Sequence, residues 1–125
     1  MIEGRVTDEG VPTIKIHVGL QWYEAIIDTG FNGELELPER LRSLVNPQLV
    51  GRVTSLLAAN QRVEEDVYLV DFPFDGRTIR AQATFADGDE ILIGTGLLQN
   101  YRLRIDFPAR SVALETANAA DRSAE

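Results

Sequence analysis

An aspartate that follows two β-branched apolar residues and precedes Thr-Gly is the group in this sequence best suited to chemistry. Residues 26–30 are Ile-Ile-Asp-Thr-Gly, which predicts a strand that ends at Asp28 and turns at Gly30. A strand that ends in this way presents a carboxyl group at the mouth of a sheet. A second apolar-apolar-glycine element, Leu92-Ile93-Gly94, occurs late in the chain.

One carboxyl group activates water poorly, whereas two that are held close together do so well. The pair cannot both ionise, because like charges repel, and the two groups therefore share one proton. The sequence contains a single Asp-Thr-Gly, so this chemistry requires two copies of the chain. From the residues alone, Asp28 has a second interpretation, because an aspartate before Thr-Gly can simply make an Asx-type turn.

Size and composition narrow the range of functions. The 125 residues correspond to one domain, and the absence of cysteine argues against disulfides and thiolate zinc sites. A formal net charge of −8 argues against non-specific nucleic-acid binding, which needs a basic surface. No apolar run has the length of a membrane span, and no basic segment followed by an apolar one begins the chain. We therefore expect a cytoplasmic protein without nucleic-acid or membrane partners.

The single histidine makes metal and triad chemistry poor explanations. One histidine and scattered carboxylates are a weak case for a metal site, so neither a metal nor another cofactor is expected. A Ser-His-Asp triad would need His17, but no serine lies in a nucleophile-elbow sequence. The alternation of its strand places His17 on the polar face, which is usually solvated. Trp22 is expected in the core, with packing at a contact between two copies of the chain as the alternative.

Alternating and β-branched segments predict about nine short strands and two short helices, a pattern typical of an all-β, barrel-like domain. Residues 11–18 illustrate the alternation, with Ile14, Ile16 and Val18 on one face. The strands are expected at residues 11–18, 22–28, 34–37, 50–57, 63–72, 77–85, 91–93, 101–107 and 111–115.

Turn and breaker residues place the connections between these strands. Asp75-Gly76 is a two-residue hairpin signal, and residues 19–21 and 108–110 predict two further hairpins. Pro38 opens a helix over residues 39–45, and a helical turn is expected from Gly94 to Leu98. The last nine residues, 117–125, are small and polar and are expected to be disordered, which leaves a domain of residues 1–116.

The motifs resemble those of the retroviral-type aspartic proteases, the retropepsin-like family of clan AA, and especially its small bacterial and archaeal members. The matching segments are Ala25 to Leu35 (Ala-Ile-Ile-Asp-Thr-Gly-Phe-Asn-Gly-Glu-Leu), Ile91 to Leu98, and Tyr101 to Phe107. Asp-Thr-Gly alone is a weak signal, but the apolar lead-in, the hairpin spacing and the late glycine element are specific together. The resemblance spans residues 11–115 and implies a closed acid-protease barrel with one Asp-Thr-Gly loop per subunit.

The resemblance also implies roles for individual residues. Asp28 would be the catalytic aspartate, with Asp28 of a second subunit completing the dyad, and Thr29 would hydrogen-bond across the two-fold axis. Gly30 would supply a permissive backbone where the substrate passes closely. Leu92, Ile93 and Gly94 would pack under and beside the catalytic loop and line the substrate site. Residues 2–6 and 112–115 would contribute to the dimer, as the chain ends do in this family.

Two features depart from the retroviral pattern. The hairpin tip at the position of the family's flap is Ala58-Ala59-Asn60-Gln61, whereas retroviral flaps have a glycine-rich tip. Asn32 and Thr95 replace the acidic residue and the arginine of the retroviral pattern, so a charged pair has become neutral. Asn32, Ala58, Ala59 and Asn60 are nevertheless the expected substrate contacts from this side of the cleft.

The function predicted from the sequence is an aspartic endopeptidase that acts as a homodimer on peptide or protein substrates. Water would lie between two Asp28 carboxyl groups, one acting as general base and the other polarising the scissile carbonyl. The alternative is a protease-like module that keeps the fold for peptide binding or dimerisation and has little turnover. The altered flap tip and the neutral Asn32 and Thr95 motivate that alternative.

Overall fold

A computed structural model of the chain describes residues 1–56 and 58–117. Ten strands make up most of this part. They are β1 (Ile2–Val6), β2 (Pro12–Val18), β3 (Gln21–Ile27), β4 (Leu35–Pro38), β5 (Gln48–Leu56), β6 (Arg62–Phe74), β7 (Arg77–Ala86), β8 (Ile91–Ile93), β9 (Tyr101–Asp106) and β10 (Ser111–Thr116). A 3-10 turn, Glu39–Leu41, leads into one short helix, α1 (Arg42–Val45), and a second 3-10 turn, Ala58–Asn60, joins β5 to β6.

The strands form where the sequence alternates, because alternate side chains then reach a common core. Ile14, Ile16 and Val18 of β2 are buried, as predicted, and so are Leu35 and Leu37 of β4. Burial of side chains of this size contributes about 1.5–3 kcal/mol each to stability. The largest fully buried side chains come from four strands and the 3-10 turn before α1: Ile14, Ile16, Leu35, Leu37, Leu41, Ile91, Ile93 and Leu114.

All ten strands belong to one sheet, in the order β5-β6-β7-β4-β8-β3-β2-β1-β10-β9. Two pairings are parallel, β3 with β8 and β4 with β7, and the others are antiparallel. The predicted all-β fold is confirmed, and residues 2–6, which the resemblance assigns to the dimer contact, form strand β1. In the described part of the chain no pairing joins β5 to β9, so closure of the sheet into a barrel stays a prediction.

The predicted turns and helices are found with small differences. Asp75 and Gly76 both have positive φ, at 54° and 80°, as a tight two-residue hairpin requires. The helix expected over residues 39–45 is split into the 3-10 turn and α1. After Gly94 the chain makes successive i to i+3 hydrogen-bonded turns, in which the amides of Leu97 and Leu98 donate to Gly94 and Thr95.

The prediction that Trp22 lies in the core is wrong. Its side chain is 67% exposed, and its ring contacts the edge of the His17 ring at a centroid distance of 5.0 Å. The two residues are opposite each other in the β2–β3 register, on the face that Ile16 and Val18 do not share. Trp22 therefore follows the polar face of its hairpin, because alternation determines its direction more strongly than its size does.

The two terminal strands are paired within the chain. β1 pairs with β10 through Ile2 to Arg5 and with β2 through Gly4 to Val6, and the other edge of β10 pairs with β9. Because these backbone edges are largely occupied, any contribution of the chain ends to a dimer would come from their side chains. That contribution stays a prediction.

The remaining expectations concern the chain end and the membrane. The amide of Ala117 donates to the carbonyl of Asn100 at 2.9 Å, and the rest of the predicted disordered tail lies outside the described residues. Within residues 1–56 and 58–117, no helix has the length and hydropathy needed to cross a bilayer.

Candidate active site

Asp28 lies directly after β3, where the two glycine-containing motifs of the sequence meet. β3 and β8 are parallel neighbours, with Ile26 opposite Leu92 and Ile27 opposite Ile93. The backbone amide of Asp28 then donates to the carbonyl of Ile93 at 2.9 Å, which extends the pairing by one residue. Pairing with Leu92 and Ile93 therefore fixes the position of Asp28 at the end of the sheet.

Gly94 and the two residues after it hold the loop that follows Asp28. Their amides donate to the carbonyls of Glu34 at 3.1 Å, Phe31 at 2.8 Å and Gly33 at 3.0 Å, in that order. A Cβ on Gly94 would overlap the carbonyl oxygen of Gly33 and would lie 2.7 Å from the Phe31 ring. The glycine is required because two backbone segments pass each other here without room for a side chain.

The carboxyl group of Asp28 is half-buried and points out of the loop with one oxygen in use. Oδ1 accepts a hydrogen bond from the amide of Gly30 at 3.0 Å, which is the Asx-type turn considered from the sequence. In the described part of the chain, Oδ2 has no hydrogen-bond partner. Asp28 therefore forms the turn and still presents a carboxyl oxygen, so the two interpretations of this residue do not exclude each other.

Thr29 and Gly30 form the exposed tip of the loop. Among the described residues, nothing forms a hydrogen bond with the Thr29 hydroxyl. The tip of the loop is thus available to another chain. The two residues differ in this respect: the backbone of Asp28 is bonded to β8, whereas the Thr29 side chain has no hydrogen-bond partner within residues 1–56 and 58–117.

A row of half-buried side chains crosses the sheet beside Asp28. Ile26, Leu92, Glu36 and Thr84 lie opposite one another on β3, β8, β4 and β7. Their strand neighbours, including Ile93 and Leu35, point to the opposite face and are buried in the core. We call this row the floor; it begins beside the Asp28 loop, and Glu36 and Thr84 at its far end line a cavity.

The hairpin of β5 and β6 covers one end of this floor. A cavity of about 300 Å³ lies between the loop and the hairpin and is lined by Asn32 and Glu36 from below and by Val53, Glu65 and Val67 from the hairpin. A larger groove of about 840 Å³ lies elsewhere, between the β2–β3 hairpin and the turn after β6. None of the residues predicted to form the site lines that larger groove.

The structure brings together most of the residues predicted for the site. Asn32 lines the cavity, Leu92 is half-buried in the floor, and Ile93 and Gly94 are buried beneath the loop. The tip of the hairpin is placed differently: Ala58, Ala59 and Asn60 are exposed and are not among the cavity-lining residues. Contact of any of these residues with substrate stays a prediction.

Glu36 and Glu65 are site residues that sequence reasoning missed. The alternation of residues 34–37 assigns Leu35 and Leu37 to the core and thus Glu36 to the opposite face. That signal was available, but nothing local indicates that this face lies under a distant hairpin that carries Glu65. Burial, together with the negative charges of Glu65 and Asp28, raises the pKa of Glu36 above its ordinary value.

No cluster of three or more histidine or carboxylate side chains suited to a metal ion is present in the described part of the chain. At this site the carboxyl group of Asp28 accepts a hydrogen bond from the amide of Gly30, and its negative charge contributes to the raised pKa of Glu36.

Comparison with known proteins is informative at the level of structure. No family model and no curated protein matches the chain. A retropepsin-like aspartic protease from Rickettsia conorii superposes with a TM-score of 0.63 at 18% identity, over 90% of this chain and 87% of that protein. A retroviral protease-like domain of Ddi1 from Leishmania major superposes with a TM-score of 0.51 at 12% identity, over 89% and 97% of the two chains.

A viral structure gives the same result. A foamy viral protease-reverse transcriptase, solved in complex with an RNA/DNA hybrid, matches with a TM-score of 0.58 at 18% identity. The match covers 74% of this chain and 12% of that much longer one. At these identities the likeness concerns the fold, and together the three structures establish that this chain has a retropepsin-like fold.

Proposed function

We propose that the chain is an aspartic endopeptidase whose active site forms when two copies bring their Asp28 loops together. The proposal rests on one observation: the backbone of Asp28 is anchored to β8, and its Oδ2 has no hydrogen-bond partner among the described residues. The retropepsin-like fold supports it, because a motif that resembles the family's catalytic sequence lies at a strand end beside the cleft. The proposed catalytic domain comprises residues 1–116.

The homodimer is part of the proposal because a single chain has half of the required chemistry. An isologous two-fold contact brings identical surfaces together, and the exposed Thr29 and Gly30 are the part of the loop that such a contact would bury. The unpaired Thr29 hydroxyl would then find its hydrogen-bond partner in the second subunit. Burial of that group without a partner would be unfavourable.

The two carboxyl groups would share one proton across the axis and act as an acid–base pair. The ionised Asp28 takes a proton from a water molecule, whose oxygen attacks the carbonyl carbon of the peptide bond. The protonated Asp28 donates a hydrogen bond to the carbonyl oxygen and stabilises the tetrahedral intermediate. A proton then passes to the amide nitrogen, the carbon–nitrogen bond breaks, and the products are a carboxylic acid and an amine.

The cleft supplies the position of the substrate in this proposal. Leu92 and Ile26 would lie under the peptide beside the reacting bond, and Gly30 would allow the peptide backbone to pass close to the loop. The β5–β6 hairpin would close over the bound peptide and reduce the access of water other than the reacting molecule. Peptides or unfolded protein segments are therefore the proposed substrates.

A second candidate is a module that binds peptides or dimerises with little turnover. The specific observation in its favour is the hairpin tip, where Ala59 and Asn60 adopt positive φ and no glycine is present. Residue 95 also departs from the retroviral pattern, since a neutral threonine stands where that pattern has an arginine. The two candidates share the fold and the dimer and differ in hydrolysis alone.

The decisive experiment compares wild type with Asp28→Asn on a library of fluorogenic peptides at acidic and neutral pH. Asparagine is nearly isosteric with aspartate but cannot share or accept the catalytic proton, so hydrolysis should fall to background. Asp87→Asn, at an exposed loop position, is the matched control and should retain wild-type rates. Sedimentation should show the same dimer for all three proteins.

Two outcomes would overturn the proposal. Hydrolysis retained by a clean Asp28→Asn preparation would show that another group does the chemistry. Peptide binding by wild type without any hydrolysis at either pH would select the binding module instead.

A further inference from the structure

The cavity beside the Asp28 loop is lined by both apolar and acidic residues. Val53, Val67 and Ala83 form apolar walls, while Glu34, Glu36 and Glu65 contribute carboxyl groups. Its volume of about 300 Å³ is at the small end of the range for ligand pockets. A space of this size suits one extended side chain of a peptide rather than a separate small molecule.

The three carboxylates differ in whether they accept a hydrogen bond from another part of the described chain. Glu34 accepts a hydrogen bond from the backbone amide of Gln82 at 2.7 Å, so it has a structural partner. Glu36 and Glu65 have neither a cationic partner nor a hydrogen-bond donor among the described residues. Two acidic side chains thus face one cavity whose described lining residues include no lysine or arginine.

The other face of the same hairpin shows that this imbalance is specific to the cleft. Strand alternation places Glu64 and Asp66 on the outer face, where both carboxylates pair with Arg52, at 3.2 Å and 2.9 Å. Glu65, between them in sequence, points to the inner face beside Val53 and receives no cation. The hairpin therefore neutralises its charges outside and leaves one unneutralised inside.

Glu36 brings the second charge to the cavity from the floor. It lies next to Leu92 in the row that begins beside Asp28, so it is one strand further from the reacting carboxyl than Leu92. Burial and the negative charges of Glu65 and Asp28 raise the pKa of Glu36, so both neighbouring charges disfavour its ionised form. A cation placed between them would relieve that repulsion, and the half-buried position strengthens the attraction relative to open water.

We propose that this cavity is a subsite for an arginine or lysine side chain of the substrate, with Glu36 and Glu65 as the residues that determine this specificity. The inference rests on the proposed function, because it assigns a substrate class to the same cleft. The apolar walls would contact the methylene stem, and the two carboxylates would bind the charged head. Arginine suits the subsite best, since its planar guanidinium can donate to two carboxylates at once.

The test uses matched fluorogenic peptides that differ at one position near the scissile bond, with arginine, lysine, glutamine or glutamate at that position. Each position flanking the bond is varied in turn. For wild type, kcat/KM should be at least about tenfold higher for arginine than for glutamine at one position, and lowest for glutamate. Glu36→Gln and Glu65→Gln should each reduce the preference, and the double variant should remove it.

Glu64→Gln is the control, because it removes a carboxylate from the outer face of the same hairpin. It should leave the preference for arginine unchanged, since the charge it removes is already paired with Arg52. An equal loss of preference in Glu64→Gln would show that net charge rather than the cavity is responsible.

Failure of this inference is distinguishable from failure of the proposed function. Hydrolysis with no preference for cationic side chains, or a preference that survives in the double variant, would overturn the subsite and leave the peptidase intact. If no peptide is hydrolysed, the affinities of Asp28→Asn for the arginine and glutamine peptides decide the matter. Binding at least about tenfold tighter to the arginine peptide supports the subsite, and equal affinities overturn it.

Discussion

The loop after Asp28 and the β5–β6 hairpin flank the same cleft, but the chain holds them by different means. Four hydrogen bonds from residues 28 and 94–96 to neighbouring backbone carbonyls fix the loop. The hairpin has one strand, β5, at the end of the sheet, and its tip, Ala58–Asn60, is exposed. Under the proposed function, this difference would place the Asp28 carboxyl group in a fixed position beneath a hairpin that is held by fewer contacts.

The glycines of the two regions show the same contrast. Gly94 has backbone atoms where a Cβ would be, whereas Gly51 of the hairpin has nothing within 4 Å of that position. A side chain is therefore excluded from the loop by packing, while the hairpin has room for one. Variation in sequence should consequently be harmful in the first region and tolerated in the second.

Substitution of these glycines by alanine should give the largest difference in stability between the two regions. Gly94→Ala should lower the free energy of unfolding by about 3 kcal/mol or more, because two backbone segments must separate. Gly51→Ala should change it by less than about 1 kcal/mol. Urea unfolding followed by circular dichroism measures both, and comparable losses in the two variants would remove the contrast.

Thr29→Ala should weaken the dimer rather than the subunit. Loss of a buried hydrogen bond costs about 1–3 kcal/mol at each site, and two-fold symmetry doubles the sites. Sedimentation equilibrium should show a higher dissociation constant, with circular dichroism unchanged at high protein concentration. A dissociation constant equal to that of wild type would mean that the Thr29 hydroxyl does not cross the axis.

Glu36→Gln should stabilise the protein at neutral pH and not at acidic pH. The pKa of Glu36 is raised in the folded chain, so the stability of wild type is full below the ordinary value of 4.5 and falls as pH rises through that value to the folded one. Glutamine does not ionise, so the variant does not lose stability as pH rises through this range. Unfolding midpoints of both proteins should coincide near pH 4 and diverge by pH 7.

Glu64→Gln provides the comparison for that measurement, because it lies on the outer face and loses its pairing with Arg52. The unfolding midpoint of Glu64→Gln should be no higher than that of wild type at neutral pH. A gain in Glu64→Gln equal to that in Glu36→Gln would assign the effect to net charge instead of the cleft.

The smallest effect is expected at the hairpin tip. Ala59 has φ of 62°, a left-handed conformation that costs a residue with a Cβ about 1 kcal/mol, and glycine would relieve that strain. Ala58, its neighbour, lacks a positive φ, so Ala58→Gly should only add freedom to the unfolded chain. Ala59→Gly should therefore be more stable than Ala58→Gly by about 1 kcal/mol, as measured by urea unfolding.

The sequence was informative wherever local pattern decides the structure. Alternation identified β2 and β4, and Asp75-Gly76 identified the hairpin of β6 and β7. The Asp28 motif and the Gly94 element were correctly expected to lie together, because both were carried by a resemblance to a known family. These features depend on neighbours in sequence or on a recognised motif.

The parts that were missed depend on contacts between distant segments. The acidic cavity needs Glu36 and Glu65 to face each other across two separate parts of the sheet, and no local pattern encodes that register. Trp22 was misplaced because its size favours the core, while its position opposite His17 places it outside. The pairing of both terminal strands within the chain likewise follows from topology and not from composition.

The central claim, a dyad shared by two chains, is tested most directly by mixing wild type with Asp28→Asn at constant total protein. With random exchange of subunits, a mixture that is one half wild type has about one quarter of its dimers made of two wild-type chains. Activity should therefore fall as the square of the wild-type fraction. Activity that falls in direct proportion, to about one half, would show that each chain works alone and would contradict the account.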